Sequence, residues 1–282
     1  MRNILILCFS FGLVISNAQN EFKVRRGFKI DRSAPIYNIH VDEKGLKWVA
    51  DELGLVLVQS ANFADPVEAK PKEWNLLNVP DGNYELKIPK DQLSNFFDND
   101  LSVITTAQYD ESLKELWVGT KFGGVLHFRV DNQVELLETL TTGNSKLRSN
   151  TIQSILVTAP GKVLIGTDDG LVEINRDKSK LYGKGFNIEA IAVNNGVIWV
   201  VSDGEVLEMD KKGDFYYFET DEYMTEGLVK DIAFDSRERL WIASEIVIRY
   251  DFDRDNYEVY GPIQEFTSQN VNCIAVNFDD AL

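Results

Sequence analysis

Two histidines, His40 and His127, are the side chains best suited to proton transfer or metal binding in this chain. Each lies in a short apolar stretch, and neither has a Cys or His partner at metal-ligand spacing. Both read as strand residues with a structural role. Asp251-Phe252-Asp253-Arg254-Asp255-Asn256 copies the opening of a calcium loop, with carboxylates at alternate positions. The glycine that such a loop needs is Asn256, and its closing acidic position falls on Pro262, so a polar hairpin is the expected structure. Cys273, within Val271-Asn272-Cys273-Ile274-Ala275-Val276, reads as a small buried apolar residue. No Gly-x-Ser-x-Gly elbow, phosphate loop or paired-Cys motif is present. No catalytic, metal-binding or cofactor-binding residue is therefore expected, and no cofactor. What remains is a set of polar turn residues: Asp51, Lys121, Asp168, Asp169 and Asp203. They are the candidate ligand or partner face; the competing reading makes them turn formers chosen for backbone geometry.

The elements that carry these residues repeat. Glu115-Leu116-Trp117-Val118-Gly119-Thr120-Lys121-Phe122-Gly123-Gly124-Val125-Leu126 is an apolar run with Trp, then a small residue, a polar turn and a second apolar run. It reads as strand, tight turn, strand. Degraded copies are centred on Trp48, Leu164, Trp199 and Trp241, and each follows an alternating strand that ends in an Asp- or Gly-containing turn. The anchors Trp48, Trp117, Leu164, Trp199 and Trp241 are 69, 47, 35 and 42 residues apart, and the last three spacings lie near the period of a four-stranded blade. A large Trp fills the gap between neighbouring sheets, and the Gly or Ala two residues later allows close backbone approach. The fold class is all-β, with five complete units between residues 30 and 260 and a sixth that begins at Asn270. The sixth stops at Leu282, just where its Trp is due, so the sequence is expected to belong to a longer protein. The long first spacing holds an insertion at about residues 59–99 with four of the seven prolines. Proline at that density disfavours a central strand; the stretch reads as a loop excursion that supplies the first unit's fourth strand near Trp74-Asn75-Leu76-Leu77.

Met1-Arg2-Asn3, the apolar run Ile4 to Ile15 and the small residues of Ser16-Asn17-Ala18 form a secretory leader pattern, with cleavage expected after Ala18. Residues 19–282 are then the folded domain. Cys8 follows Leu7, not the small residue a lipidation site wants. Loss of Arg2 with the leader moves the formal net charge from −16 to −17. So acidic a chain is not expected to bind nucleic acid or an anionic membrane face. One cysteine outside the leader excludes an internal disulfide.

The motif Leu-Trp-Val-Gly-Thr with Gly-Gly-Val-Leu-His-Phe in residues 116–128 resembles the two-component regulator propeller repeat. So do Ser149-Asn150-Thr151-Ile152 leading to Leu164-Ile165-Gly166-Thr167-Asp168-Asp169-Gly170-Leu171, and Leu240-Trp241-Ile242-Ala243-Ser244. The resemblance implies a β-propeller of about seven blades, commonly the periplasmic sensing part of bacterial hybrid histidine kinases that answer to glycans. It implies an exported recognition module, periplasmic or at the cell surface, joined to a membrane only through a C-terminal part absent from this sequence. The ligand would be a glycan or a protein partner. Two other classes stay open: a scaffold in a cell-surface or secretion assembly, and a propeller-type enzyme such as a polysaccharide lyase, for which two histidines offer little.

Overall fold

The computed structural model describes residues 3–9, 12–19, 21–25, 36–41, 47–51, 54–58, 87–89, 104–130, 134–218, 227–260 and 271–276, with side chains described from residue 104 onward except those of Val134 and Asn272. The described elements are all strands, in six four-stranded antiparallel sheets. The first sheet holds β4 (Ile36–Val41), β5 (Lys47–Asp51), β6 (Gly54–Val58) and β7 (Lys87–Pro89). The second holds β8 (Ile104–Asp110), β9 (Glu115–Thr120), β10 (Val125–Val130) and β11 (Val134–Leu140). The third holds β12 (Ile152–Ala159), β13 (Lys162–Thr167), β14 (Gly170–Asn175) and β15 (Lys178–Tyr182). The fourth holds β16 (Ile188–Asn194), β17 (Val197–Ser202), β18 (Glu205–Met209) and β19 (Phe215–Tyr217). The fifth holds β20 (Asp231–Phe234), β21 (Leu240–Ala243), β22 (Val247–Asp251) and β23 (Asn256–Tyr260). In the sixth, β24 (Val271–Val276) pairs with β1 (Asn3–Phe9), followed by β2 (Gly12–Gln19) and β3 (Glu21–Arg25).

The first strand of each unit borders the first strand of the next, from β4 through β8, β12, β16, β20 and β24 and back to β4. Six sheets thus stand around an axis with β4, β8, β12, β16, β20 and β24 innermost, the arrangement of a β-propeller. Two details differ from the sequence reading. The fourth strand of the first sheet is Lys87–Pro89, where Pro89 is tolerated because the strand is an outer edge; residues 74–77 lie outside the described residues. The sixth unit is filled by β1 to β3, so residues 3–9 and 12–18 of the leader-like sequence lie in its two middle strands.

The repeated motif is a packing unit between sheets. Trp117 lies with Ile152, Ile155 and Ile165 of the third sheet, Leu164 with Ile188, Ile191 and Val200 of the fourth, Trp199 with Ile232, Ile242 and Ile248 of the fifth, and Trp241 with Val271 and Ile274 of the sixth. Trp117, Leu164, Trp199 and Trp241 are each at most 6% exposed. The side chain of Trp48 lies outside the described residues. Two residues beyond the second and third anchors, Gly119 and Gly166 meet the neighbouring sheet. A Cβ on Gly166 would lie 2.6 Å from the Ile188 carbonyl oxygen, a backbone atom that cannot yield. Burial of these clusters, at roughly 25 cal/mol per Å² of apolar surface, is what holds sheet to sheet.

Candidate functional site

One face of the ring gathers the starts of the innermost strands and the turns between second and third strands, because β8 opens opposite the end of β9 (Ile104 against Thr120), β12 opposite the end of β13 and β16 opposite the end of β17. We call this the upper face. Every innermost strand enters it behind an aliphatic residue: Ile36, Ile104, Ile152, Ile188, Val229 or Val271. The next residue is different each time. It is Tyr37, Thr105, Gln153, Glu189, Lys230 or Asn272. The register slips at this place in five sheets, so that Tyr37, Thr105, Gln153, Glu189 and Asn272 have no cross-strand partner. These are β-bulges, which redirect a side chain and recur beside binding sites. Lys230 stands in the same place just before β20, its N–H donating to the Ala243 carbonyl at 2.7 Å.

Four of these side chains are described, and they form an arc over four consecutive sheets. Thr105 donates to the Ile152 carbonyl oxygen at 2.6 Å. The Gln153 amide donates to Asn187 at 3.2 Å, and the Asn187 amide donates to Glu189 Oε1 at 3.3 Å. Glu189 Oε2 accepts the Gly204 N–H at 3.0 Å, which fixes the carboxylate at the mouth of the ring. Thr105, Gln153, Asn187 and Glu189 are half-buried and Lys230 is exposed. The arc therefore offers a hydroxyl, two amides, a carboxylate and an ammonium in sequence around the mouth, held by neighbours and still open to solvent.

The turns outside the arc hold the residues expected from sequence. In three of the sheets a hydroxyl at the end of the second strand pins the turn: Thr120 and Thr167 donate to the Gly124 and Gly170 carbonyls at 2.8 and 2.9 Å, and Ser244 to Ile246 at 3.0 Å. Lys121, Asp168 and Asp203 project from these turns into solvent, and the Asp51 backbone closes β5 on the same face. Phe122 is 49% exposed beside Lys121, whose Nζ lies 5.5 Å from the ring centroid. Asp169 is engaged otherwise: it takes the Arg148 guanidinium at 2.9 Å and the Gly185 N–H at 2.9 Å. The Arg148 hydrogen bond holds its carboxyl below the ordinary range. Asp203 adopts φ 52°, so its backbone requirement is real as well. The structure thus puts Asp51, Lys121, Asp168, Asp169 and Asp203 on one face without bringing them to one point. The bulge residues inside them were not singled out in the sequence; the signal was a position that changes chemistry directly after an unchanging Ile or Val.

The other candidates resolve structurally. His127 is stacked on Trp117, with centroids 3.6 Å apart, and lies between the carboxylates of Glu115 (3.0 Å) and Glu138 (3.2 Å). His40 lies in β4, with its side chain outside the described residues. The calcium-like stretch is the hairpin from β22 to β23: Asp251 Oδ1 accepts the Arg254 N–H at 3.2 Å, and Asp255 accepts the Tyr250 hydroxyl. Among the described residues no three His, Cys, Asp or Glu side chains could share a metal ion. Cys273 is 2% exposed in the inner ring. No described helix is long and apolar enough to cross a membrane.

No protein-family model matches the sequence, and no curated protein matches it. Solved structures do match. The extracellular domain of a hybrid two-component system protein of B. thetaiotaomicron is 16% identical over 98% of this chain, with a TM-score of 0.59. The extracellular domain assigned to a one-component system of the same organism is 15% identical over 98% of this chain, with a TM-score of 0.55. This chain spans only 39% and 37% of those two chains. A catalytically inactive virginiamycin B lyase of Staphylococcus aureus, solved with quinupristin, is 10% identical over 94% of this chain and 85% of its own, with a TM-score of 0.57. At these identities the likeness is one of fold: the chain is a β-propeller of the kind found in extracellular sensor domains and in lyases alike.

Proposed function

We propose that this chain is an exported recognition module, the ligand-sensing part of a bacterial two-component regulator, and that it reads a polar, hydroxyl-rich ligand on its upper face. The observation that carries the reading is the contrast within the repeat. The inter-sheet positions keep one character from copy to copy, whereas the position after the entering Ile or Val holds Thr105, Gln153, Glu189 and Lys230. Packing gives no reason for that variety, and a ligand spanning several sheets does. Amide, carboxylate and ammonium groups suit the hydroxyls of a glycan, and exposed Phe122 suits a sugar face. The two extracellular sensor domains with the same fold agree with this role.

A lyase reading has the fold likeness alone in its favour. His127 is a buried residue of β10, stacked on Trp117 and held between Glu115 and Glu138, and it does not stand on an innermost strand. Glycan-array screening of the purified protein, followed by calorimetry on any hit, tests the proposal. Gln153→Ala and Lys230→Ala are expected to weaken binding at least about tenfold, near 1.4 kcal/mol, each; a blank array across plant and host polysaccharides would overturn the glycan reading.

Export is part of the same proposal, with residues 1–18 removed as a leader. Cleavage after Ala18 and the pairing of β1 with β24 exclude each other in one molecule. N-terminal sequencing of protein recovered from outside the cytoplasm decides between them, and an intact Met1 would sink the leader assignment.

A further inference from the structure

Asn195 and Gly196 form the two-residue loop between β16 and β17, closed by the pair Asn194–Val197. This is the one Asn-Gly pair in the sequence. Both residues are exposed, with φ 49° and 78°, the positive pair that a tight hairpin turn needs. The loop stands on the face opposite the candidate ligand site, because β16 begins at the upper face and ends here. From it the Asn195 amide reaches across to the fifth sheet and donates to Glu238 Oε2 at 2.8 Å.

The chemistry open to such a pair is ring closure. The backbone nitrogen after an asparagine lies close to that residue's side-chain carbonyl carbon, and a glycine leaves the approach uncrowded. No described atom outside the adjoining residues lies within 4 Å of where a Cβ on Gly196 would stand. Two other described loops set Gly after Asp, and in both the glycine nitrogen is engaged. The Gly170 N–H, after Asp169, donates to the Phe186 carbonyl at 2.7 Å. The Gly204 N–H, after Asp203, donates to Glu189 at 3.0 Å, although Asp203 and Gly204 have φ 52° and 79°, nearly the backbone of the Asn195 loop. The Gly196 N–H has no acceptor among the described residues.

We propose that Asn195-Gly196 is a self-modification site, at which the chain converts its own asparagine into aspartate and isoaspartate. The Gly196 nitrogen bonds to Asn195 Cγ, the Cγ–Nδ2 bond breaks, and the amide leaves as ammonia with the Gly196 proton. Water then opens the ring at either carbonyl. One opening leaves aspartate; the other routes the backbone through the side chain and adds a carbon to a loop of two residues. Both products replace the amide by a carboxylate. The hydrogen bond from the fourth sheet to the fifth then gives way to repulsion from Glu238.

The site is tested by incubating the purified protein in mildly alkaline buffer and following its peptides by mass spectrometry. Conversion at Asn195 is expected at least about tenfold faster than at Asn144, Asn150, Asn187 or Asn194, equal to about 1.4 kcal/mol in barrier. Enzymatic methylation should detect isoaspartate in the same peptide. Asn195→Gln keeps an amide but must close a larger ring, so it should abolish the modification while leaving the backbone of the loop unchanged. Asn195→Asp supplies one product directly. Its urea midpoint should fall below that of Asn195→Gln, and adding Glu238→Gln should restore it. An Asn195 that outlasts the other asparagines, or converts no faster than they do, overturns the proposal. A midpoint that Asn195→Asp leaves unchanged overturns the coupling to the fifth sheet.

Discussion

The second and fifth sheets are built on the same pattern and treat their buried polar atoms in opposite ways. In the fifth, Asp235 closes the turn between β20 and β21 and accepts the N–H of Arg237 and Arg239 at 3.0 and 3.1 Å. The same carboxylate takes the Arg239 guanidinium at 2.6 and 2.7 Å and the Trp241 indole N–H at 2.9 Å. In the second sheet the corresponding turn is one residue longer. Asp110 there accepts from the N–H of Leu113 at 3.1 Å and of Gly161, in the next sheet, at 3.2 Å. It does not reach the anchor Trp. Trp117 Nε1, Thr106 Oγ1 and Gln108 Oε1 are buried and have no hydrogen-bond partner among the described residues. The pattern of apolar residues decides where a side chain sits; the length of a turn decides whether its polar atoms are satisfied.

The largest effect expected from this difference is at Asp235. Asp235→Ala leaves a buried guanidinium, an indole and two backbone N–H groups without their acceptor. Breaking a buried ion pair from one side costs about 3–5 kcal/mol, which for a domain of this size lowers the melting temperature by roughly 10 °C. Asp110→Ala removes two backbone hydrogen bonds and strands no charge, so about 1–3 kcal/mol is expected. Equal melting temperatures for the two variants in calorimetry would show that the clamp in the fifth sheet has no special weight.

Next comes the tie between inner strands. Ser154 Oγ donates to the Ile188 carbonyl at 3.1 Å, a neutral link from the third sheet to the fourth. Asp231 holds the corresponding place in the fifth sheet and accepts the Ile274 N–H at 2.8 Å and the Ile232 N–H at 2.9 Å. The Asp231 carboxyl is buried, although the residue as a whole is half-buried, and burial pushes it up to about 7 from the ordinary 3.8. The folded protein therefore keeps this proton up to about pH 7, while the unfolded chain releases it near pH 4. Its contribution is fully present below about pH 4 and lost as pH rises toward 7, a swing of up to about 4 kcal/mol at 1.36 kcal/mol per pH unit. Carboxyls held low, such as Asp235 and Asp169, act in the other direction at lower pH. The comparison of wild type with Asp231→Asn isolates the one group. Between about pH 4 and pH 8 the wild type should lose up to about 4 kcal/mol more than the variant in urea unfolding; an equal pH dependence in the two would mean that Asp231 does not titrate in this window.

The sheets were legible because strand periodicity and Trp spacing are local properties of the sequence. Trp117, Leu164, Trp199 and Trp241 fall between their own sheet and the next, where a large residue before a small one must pack. The upper face was legible only in part. Lys121, Asp168 and Asp203 are turn residues and announce themselves, but nothing in the local sequence pairs Asp169 with Arg148, 21 residues away. The bulge at Gln153 or Glu189 is a property of pairing between two strands, so it emerges only once their register is known. The composition of the sixth sheet depends on pairing over the longest separation in the chain, β1 with β24, which no local pattern encodes.

The smallest expected effect is also the sharpest test of the two sheets. Trp241→Phe and Trp117→Phe delete the same atoms from equivalent buried positions, 3% exposed in both. The loss of apolar area and the cavity left behind are therefore similar and cancel in the difference. The rings rest on different neighbours, Trp117 on His127 and Trp241 on Tyr260 and Arg249, contacts that a phenyl ring keeps in part; the indole N–H is lost outright at both. At Trp241 it donates to the Asp235 carboxylate, a charged hydrogen bond in the interior that is worth about 1.5–3 kcal/mol. At Trp117 it donates to nothing among the described residues, so its removal takes away a desolvated donor and gives back part of the cavity cost. The phenyl ring that remains can still stack on His127. Trp241→Phe should thus lose about 1–3 kcal/mol more than Trp117→Phe in urea unfolding. If the two cost the same, the indole of Trp117 has a partner in solution, and the contrast between the sheets reduces to the Asp235–Arg239 pair alone.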